Sequence, residues 1–383
     1  VILARMIAPD DFGSYVIAAA IISIVAELKS FGLGSHLIRQ PELTKDDIKT
    51  ALGLTMLICW CLGITFIVFS SFIESFYNKP DIANLIILLS ISFFFAPFIS
   101  ISHALLNREM RFKDIMVLEL GQQLIYFIIT IALLWAGYGY FSIGIAAAVS
   151  AFFQLIVAVL ISTKDMQWKP QLKGAKKMVG IGSVLTSIAV LRKLSFALPD
   201  VLIGRMGSSR EVSIFSKSLG FIDFLSTTIT ATVSPIAAPY FAKKNREGRD
   251  LGSVFLNATV LLCSIAWPLL AVASIVSENL ILLLFGDKWL DSAPIASVLC
   301  LWAIFKMWQS FFPNLLITVG LEKVLLKKEV FIIVLTGISV YFTYDFGLIY
   351  IAIALVVMSL IDLVLFFLLL NSFFKVSINT LVS

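Results

Sequence analysis

Long apolar runs alternate with short polar turns along almost the whole chain. The runs that can cross a membrane lie at 13–34, 50–73, 81–106, 115–137, 141–162, 178–203, 213–241, 251–275, 292–320, 329–346 and 347–370. The hydrocarbon core of a bilayer is about 30 Å thick, so a helix needs roughly 20 apolar residues to cross it. The pattern therefore predicts an all-α integral membrane protein with eleven helices in this sequence.

Composition and basic residues support this class and orient the chain. Hydrophobic residues make up 60% of the 383 residues and charged residues only 14%, whereas soluble domains carry about 25% charged residues. Cytoplasmic loops of membrane proteins are enriched in Lys and Arg. Nineteen of the 29 Lys and Arg residues fall in one alternating set of loops, at 35–49, 107–114, 163–177, 242–250, 321–329 and 371–383. We expect this set to face the cytoplasm, and the net charge of +5 then gives no reason to expect nucleic acid binding.

A repeat divides the chain into two halves. Residues 2–15 (ILARMIAPDDFGSY) resemble residues 202–215 (LIGRMGSSREVSIF), with Arg5 over Arg205 and Tyr15 over Phe215. Two related halves are typical of carriers that move one half against the other. The second half has an apolar span before Arg205, whereas the matching span before Arg5 is absent. We therefore expect one missing N-terminal helix and two six-helix lobes, related as parallel repeats.

The longest basic loop, 163–177, is the predicted linker between these lobes. The N-terminal lobe then covers 1–162, without its first helix, and the C-terminal lobe covers 178–383.

Charged residues at membrane depth are the main candidates for function, because each costs at least about 2.5 kcal/mol unless it faces a cavity or a partner. Arg192 and Lys193 lie side by side within the span 178–203. They indicate a water-filled cavity, or else a helix shortened near the interface. Trp302, Lys306 and Gln309 share a helix face by their spacing. Such a face suits a sugar ring and a negative charge, or simply packs with one snorkelling lysine.

Three acidic residues are candidates for proton or sodium coupling. Asp223 and Asp362 lie deep in the spans 213–241 and 347–370. Glu119 shares a face with Gln122 and Gln123, although such residues near the inner interface can also be a solvated helix end. Cations slightly outweigh acids among the buried charges, which favours an anionic substrate such as a pyrophosphate lipid over an organic cation.

Motifs of enzyme chemistry are not found in the sequence. The four cysteines lie within apolar spans, and there is no HExxH, phosphate-binding loop or GxSxG motif. We therefore predict no catalytic residues, no metal site and no resident cofactor, and the chain is not expected to be an enzyme.

Several segments resemble a known family of transporters. These are ARMIAPDDFGSY at 4–15, FGLGSHLIRQPELT at 31–44, SFYNKPDI at 75–82 and LLNREMRFKDI at 105–115, with weaker matches at 285–294 and 318–328. They resemble the polysaccharide exporters of the multidrug/oligosaccharidyl-lipid/polysaccharide (MOP) superfamily, especially the lipopolysaccharide, O-antigen and colanic-acid type flippases.

The resemblance implies a V-shaped transporter of two lobes in the bacterial inner membrane. Such proteins move undecaprenyl-pyrophosphate-linked oligosaccharide from the cytoplasmic to the outer leaflet by alternating access, through a cationic cavity. The candidates for that cavity here are Arg192, Lys193, Lys306 and Lys29. The expected partners are this lipid-linked oligosaccharide, membrane lipids and the polysaccharide polymerase machinery.

Other functions predict different features. A cation-coupled multidrug exporter of the same superfamily needs acids to dominate its pocket, and Arg192 and Lys193 argue against it. A membrane glycosyltransferase or ligase needs a large outer loop, whereas the longest outer loop here is 276–291. A non-transporting scaffold for polysaccharide assembly is compatible with the sequence.

Overall fold

The computed structural model describes residues 5–29, 33–40, 43–247 and 250–374, and it contains no strand among them. The helices are α1 (Pro9–Ala26), α2 (Leu33–Arg39), α3 (Lys45–Tyr77), α4 (Ile82–Arg108), α5 (Phe112–Trp135), α6 (Phe141–Leu160), α7 (Ala175–Met206), α8 (Ser209–Arg246), α9 (Leu251–Ile275), α10 (Ser277–Phe285), α11 (Ala293–Met307), α12 (Phe312–Thr318), α13 (Glu322–Thr343) and α14 (Leu348–Phe374). Short 3-10 turns lie at Glu27–Lys29, Asp287–Ser292 and Tyr344–Phe346. The predicted all-α architecture is confirmed.

Local sequence explains where these helices begin and end. Thr44 and Asp47 form a capping box at the start of α3, which satisfies backbone N–H groups that have no partner within the helix. The carboxylate of Asp250 accepts from the N–H groups of Gly252 and Ser253 at the start of α9. α3 ends at Tyr77, because the next residue, Asn78, has a left-handed backbone (φ 53°) that terminates the helix.

Helix length and hydropathy are those of a multi-pass membrane protein. Within the described part of the chain, eight segments are long and apolar enough to span a bilayer: Pro9–Lys29, Lys45–Tyr77, Ile82–Arg108, Phe112–Trp135, Phe141–Leu160, Leu251–Ile275, Asp287–Thr318 and Leu348–Phe374. The remaining long helices, α7, α8 and α13, coincide with three further spans predicted from the sequence.

Two features of the C-terminal half correct the prediction. The span predicted at 292–320 is not one helix, because α11 ends at Met307 and α12 begins at Phe312. Pro313 contributes to the break, since in a continuous helix its ring would clash with the carbonyl of Gln309 and it lacks an N–H donor. The second correction concerns the predicted cytoplasmic loop 321–329, most of which is the first two turns of α13.

The chain forms two compact units, each described on its own below. The N-terminal unit comprises Met6–Ala197 and Gly207–Arg210. The C-terminal unit comprises Leu198–Met206 and the described residues from Glu211 onward, with Arg5. The boundary between the two compact units falls within α7, not in the predicted linker at 163–177. These units need not be the lobes of a transporter, so the lobe boundaries predicted from the sequence stay a prediction.

Each unit has its own core. In the N-terminal unit, α4 packs against α1, α3 and α6, and α5 packs against α6. In the C-terminal unit, α11 packs between α9 and α14, and α13 packs against α14. The largest fully buried side chains around these contacts are aromatic: Phe93, Phe255, Phe311, Phe312 and Phe366. These helices carry the polar residues described next.

Candidate functional site

A polar cavity of about 780 Å³ lies within the N-terminal unit. We call it the amide-lined cavity, because hydroxyl and carboxamide side chains from three helices face it. They are Ser92, Ser100 and Asn107 of α4, Gln122 and Gln123 of α5, and Ser150 and Gln154 of α6. Small residues between them, such as Ala96 and Ala147, leave the space open. The cavity therefore offers many neutral hydrogen-bonding groups within an otherwise apolar bundle.

Lys29 is the one Lys or Arg residue among the described residues that line this cavity, and no Asp or Glu lines it. Its ammonium lies 3.2 Å from Ser92 Oγ and 3.9 Å from the centre of the Phe93 ring. It makes no ion pair with the described residues. A cation in this position is held by a hydroxyl and an aromatic face, which leaves its charge available to an anion.

A hydrogen-bonded pair of side chains lies beside the cavity. His103 lines the cavity, and its Nε2 lies 3.1 Å from Glu119 Oε1. Asn107 Nδ2 lies 3.1 Å from the other ring nitrogen of His103. Glu119 therefore reaches the cavity through His103, whereas Gln122 and Gln123 line it directly. The side chain of Glu119 is 60% exposed, so this pair is not enclosed by the protein.

A second group of charged residues lies in the C-terminal unit. Lys306 Nζ lies 2.8 Å from Asp362 Oδ2, and Lys328 Nζ lies 2.6 Å from Asp362 Oδ1. Lys328 also donates to Gln309 Oε1 at 3.0 Å and lies 3.8 Å from Glu329 Oε1. We call these five residues the lysine–aspartate cluster. Asp362 is 2% exposed, so its negative charge is stabilised chiefly by the two lysines.

Helical spacing places this cluster. Asp362 belongs to the buried stripe Leu355, Ser359, Asp362 and Phe366 of α14. Lys328 belongs to the buried stripe Leu325, Lys328, Ile332 and Thr336 of α13. Gln309 lies in the break between α11 and α12, and Lys306 is in the last turn of α11, where a cation interacts favourably with the helix dipole.

Some of these residues are not among those predicted from the sequence. Lys328 falls in the predicted cytoplasmic loop 321–329, although its spacing from Leu325 and Ile332 is that of a buried helix face. His103 is not among the site residues predicted from the sequence. A helical stripe of Ser92, Ala96, Ser100, His103 and Asn107 in an apolar span was the available signal for the cavity.

The other predicted residues lie elsewhere. Arg192 is exposed on α7 and makes no hydrogen bond or ion pair with the described residues. The ammonium of Lys193 lies 5.5 Å from the centre of the Phe196 ring. Trp302 and Asp223 are half-buried on α11 and α8. Because the helix breaks after Met307, Trp302 and Lys306 do not continue as one helix face through Gln309. The described contacts thus unite Lys306, Gln309 and Asp362, and leave the roles of the others as predictions.

Known proteins resemble this chain in sequence. Residues 2–294 match the family described as "Polysaccharide biosynthesis protein". The chain is 24% identical over 329 residues to "Teichuronic acid biosynthesis protein TuaB" of Bacillus subtilis (strain 168), covering 82% of this chain and 66% of that protein. It is 22% identical over 315 residues to "Lipopolysaccharide biosynthesis protein WzxC" of Escherichia coli (strain K12), covering 80% and 62%. The chain therefore spans less than two thirds of the length of these relatives.

Solved structures resemble it in fold. An inward-facing multidrug resistance MATE family transporter of the MOP superfamily matches with a TM-score of 0.80 at 15% identity, over 97% of this chain and 93% of that one. The lipid II flippase MurJ in its inward closed conformation matches with a TM-score of 0.79 at 14% identity, over 98% and 84%. The fold is therefore that of the MOP superfamily transporters.

Proposed function

Because this chain belongs to the polysaccharide biosynthesis protein family, we propose that it flips a lipid-linked oligosaccharide across a membrane. The substrate is undecaprenyl-pyrophosphate-linked oligosaccharide, and it moves from the cytoplasmic to the outer leaflet of the bacterial inner membrane. The likeness to WzxC in sequence and to MurJ in fold supports this proposal. Passage by alternating access of two lobes is part of this proposal, and the likeness in fold to MOP superfamily transporters supports it.

The amide-lined cavity is the observation that carries the proposal. Its volume of about 780 Å³ is within the range of about 300–1,000 Å³ that small-molecule sites occupy. Sugars present hydroxyl groups that both donate and accept hydrogen bonds, and carboxamides do the same. A polar surface of this kind is costly in a lipid-embedded bundle unless a polar ligand or water uses it. A glycan head group is the ligand that fits it.

The charges also favour an anionic head group over an organic cation. A pocket for drug cations needs acidic residues, whereas the described lining of the cavity carries Lys29 and no acid. Lysine binds phosphate as a compact point charge. Arg192, Lys193 and Lys306, with Trp302 and Gln309, are proposed to contact the same head group at other stages of its passage. Asp223 and Glu119 are proposed to couple the cycle to protons or sodium.

Complementation tests the proposal. The whole protein is expressed in strains that lack their own flippase, and surface polysaccharide is measured together with membrane abundance. We expect rescue by the wild type, loss in Gln122→Leu/Gln123→Leu and loss in Arg192→Ala/Lys193→Ala. The matched control is Leu124→Ala, which changes an exposed residue of the same helix. Failure of the wild type across hosts with several different repeat units contradicts the flippase and favours the drug exporter or scaffold.

A further inference from the structure

The two lysines that share Asp362 differ in their access to solvent. The side chain of Lys328 is 6% exposed and that of Asp362 is 2% exposed, whereas the side chain of Lys306 is 32% exposed. Lys306 and Lys328 contact different oxygens of the carboxylate, at 2.8 Å and 2.6 Å. The cluster therefore has a buried ion pair, Lys328 with Asp362, and one more accessible ammonium beside it.

The partners of the two lysines also differ. Lys328 has three acceptors nearby, namely Asp362, Gln309 and Glu329. Lys306 has Asp362 as its one polar partner within the described part of the chain. With Glu329 included, the cluster holds two ammonium groups and two carboxylates, so it is balanced. Departure of Lys306 would leave Asp362 still paired with Lys328, which avoids the heavy cost of an uncompensated buried charge.

The break in the helix leaves further polar groups near Lys306. α11 ends one residue after it, and the chain passes through a turn before Phe312. Gln309 lies in that turn and is 8% exposed, and its Nε2 has no acceptor among the described residues. Transporters commonly build their ligand sites at interrupted helices such as this one. A buried donor without an acceptor, three residues from an accessible ammonium, fits a ligand that has both an oxygen acceptor and a negative charge.

We propose that the ammonium of Lys306 exchanges between two partners: the carboxylate of Asp362, and an anionic oxygen of a phosphate or a carboxylate on the translocated head group. We call Lys306 in this role the exchange arm. This inference rests on the proposed flippase function and assigns a role to one part of its site. A transporter must release what it binds, and release requires a difference in affinity between states. Asp362 supplies this difference in affinity, because it competes with the ligand for the ammonium of Lys306. Lys328 weakens that competition, because it stays paired with Asp362.

The arrangement predicts effects of opposite sign within one cluster. Lys306→Met removes the arm and should weaken anion binding at least about tenfold. Lys328→Met leaves Lys306 as the sole lysine on Asp362 and should also weaken binding. Asp362→Asn removes the competitor and should tighten binding several-fold while transport falls, because release is impaired. A purely structural role predicts that all three changes weaken binding together with stability.

Binding to the purified whole protein in lipid nanodiscs tests this inference. Isothermal calorimetry measures the affinity for inorganic pyrophosphate and, in a separate arm, for glucuronate. Stronger binding of pyrophosphate assigns the arm to a phosphate, and stronger binding of glucuronate assigns it to an acidic sugar. Unchanged binding in Lys306→Met, binding of neither probe, or Asp362→Asn that is no tighter than wild type overturns the proposal.

Two further measurements keep the outcome clear. Thermal unfolding identifies a variant that fails to fold. If Asp362→Asn does not fold, the double variant Lys328→Met/Asp362→Asn replaces it, because it removes one charge of each sign. This variant should bind the anion at least as tightly as wild type, and weaker binding by the folded double variant overturns the arm.

Complementation separates the two proposals: rescue by both wild type and Lys306→Met keeps the flippase and overturns the arm. Lys306-dependent binding without rescue by the wild type supports the arm as an anion site and contradicts the flippase.

Discussion

Gly13 of α1 packs directly against the backbone of Ser209, at the first residue of α8. A Cβ atom on Gly13 would lie 2.5 Å from Ser209 Cα, a distance that real Cβ atoms essentially never show. An ion pair lies next to this contact, with Arg210 Nη1 3.3 Å from Asp10 Oδ2. Both side chains of that pair are largely exposed, so the pair contributes little to stability.

Gly13→Ala should therefore destabilise the protein. Because the neighbouring atoms are backbone, the added methyl group must displace α1 or the turn before α8, at a cost of about 1–3 kcal/mol. Thermal unfolding of the purified protein measures the effect. The control is Gly220→Ala in α8, where nothing lies within 4 Å of the new Cβ. That change should be neutral or stabilising by up to about 1 kcal/mol. Equal unfolding temperatures for the two variants would contradict the packing argument.

The segment after α6 is held against α3 in a similar way. Gln171 N donates to Lys49 O at 3.0 Å, and Thr50 Oγ1 donates to Lys173 O at 2.7 Å. A Cβ on Gly53 would lie 2.9 Å from backbone atoms of Gln171. Gly53→Ala should therefore displace this segment and loosen its backbone.

Limited trypsin digestion measures that displacement. We expect cleavage after Lys173 to be several-fold faster in Gly53→Ala than in wild type, since a cut requires the local backbone to open. Gly220→Ala again serves as the control and should be cut at the wild-type rate. An unchanged rate in Gly53→Ala would show that the segment does not depend on this contact.

The sequence predicted the helices well, because apolar length and turn residues are local properties. It predicted the lysine–aspartate cluster only in part. Lys306 and Asp362 were recognised as costly charges, yet their mutual contact depends on how α11 and α14 pack, which periodicity does not report. Lys328 is not predicted as a buried residue, because the start of α13 is rich in charge and a charged stretch between apolar spans predicts a loop.

The amide-lined cavity shows the same limit. The sequence predicts that Gln122 and Gln123 share a face, but the serine and alanine stripe of α4 is a weak signal, because neutral side chains carry little of the energetic cost that marks a buried charge. What makes them a cavity is that α4, α5 and α6 bring these small and polar faces together. This arrangement depends on how the helices pack against one another, which the sequence pattern of each helix alone does not reveal.

Tyr140 has a titration that can be tested at high pH. It lies in the turn before α6, and its hydroxyl donates to Asp81 Oδ2 at 2.7 Å. Burial, followed by the hydrogen bond to Asp81 and its negative charge, raises the pKa of Tyr140 to about 12. Because the neutral phenol is the favoured form, its stabilising contribution is complete below about pH 10 and is lost as pH rises toward 12.

Tyr140→Phe should accordingly lower stability by about 1 kcal/mol near neutral pH. The difference in unfolding temperature between wild type and Tyr140→Phe should shrink between pH 10 and pH 12. Thermal unfolding across this pH range measures it. A difference that stays constant to pH 12 would contradict the role of the phenol proton.

Lys29 is the residue on which the cationic character of the amide-lined cavity depends. Lys29→Met keeps the apolar stem over Phe93 but removes the charge, so the fold should be retained. A charge-assisted hydrogen bond is worth about 1.5–3 kcal/mol, and its loss should reduce surface polysaccharide in the complementation strain about tenfold or more. Lys29→Arg keeps the charge and should retain more activity than Lys29→Met at equal membrane abundance. Equal activity in Lys29→Met and wild type would show that the head group is held in this cavity by its hydroxyl groups alone.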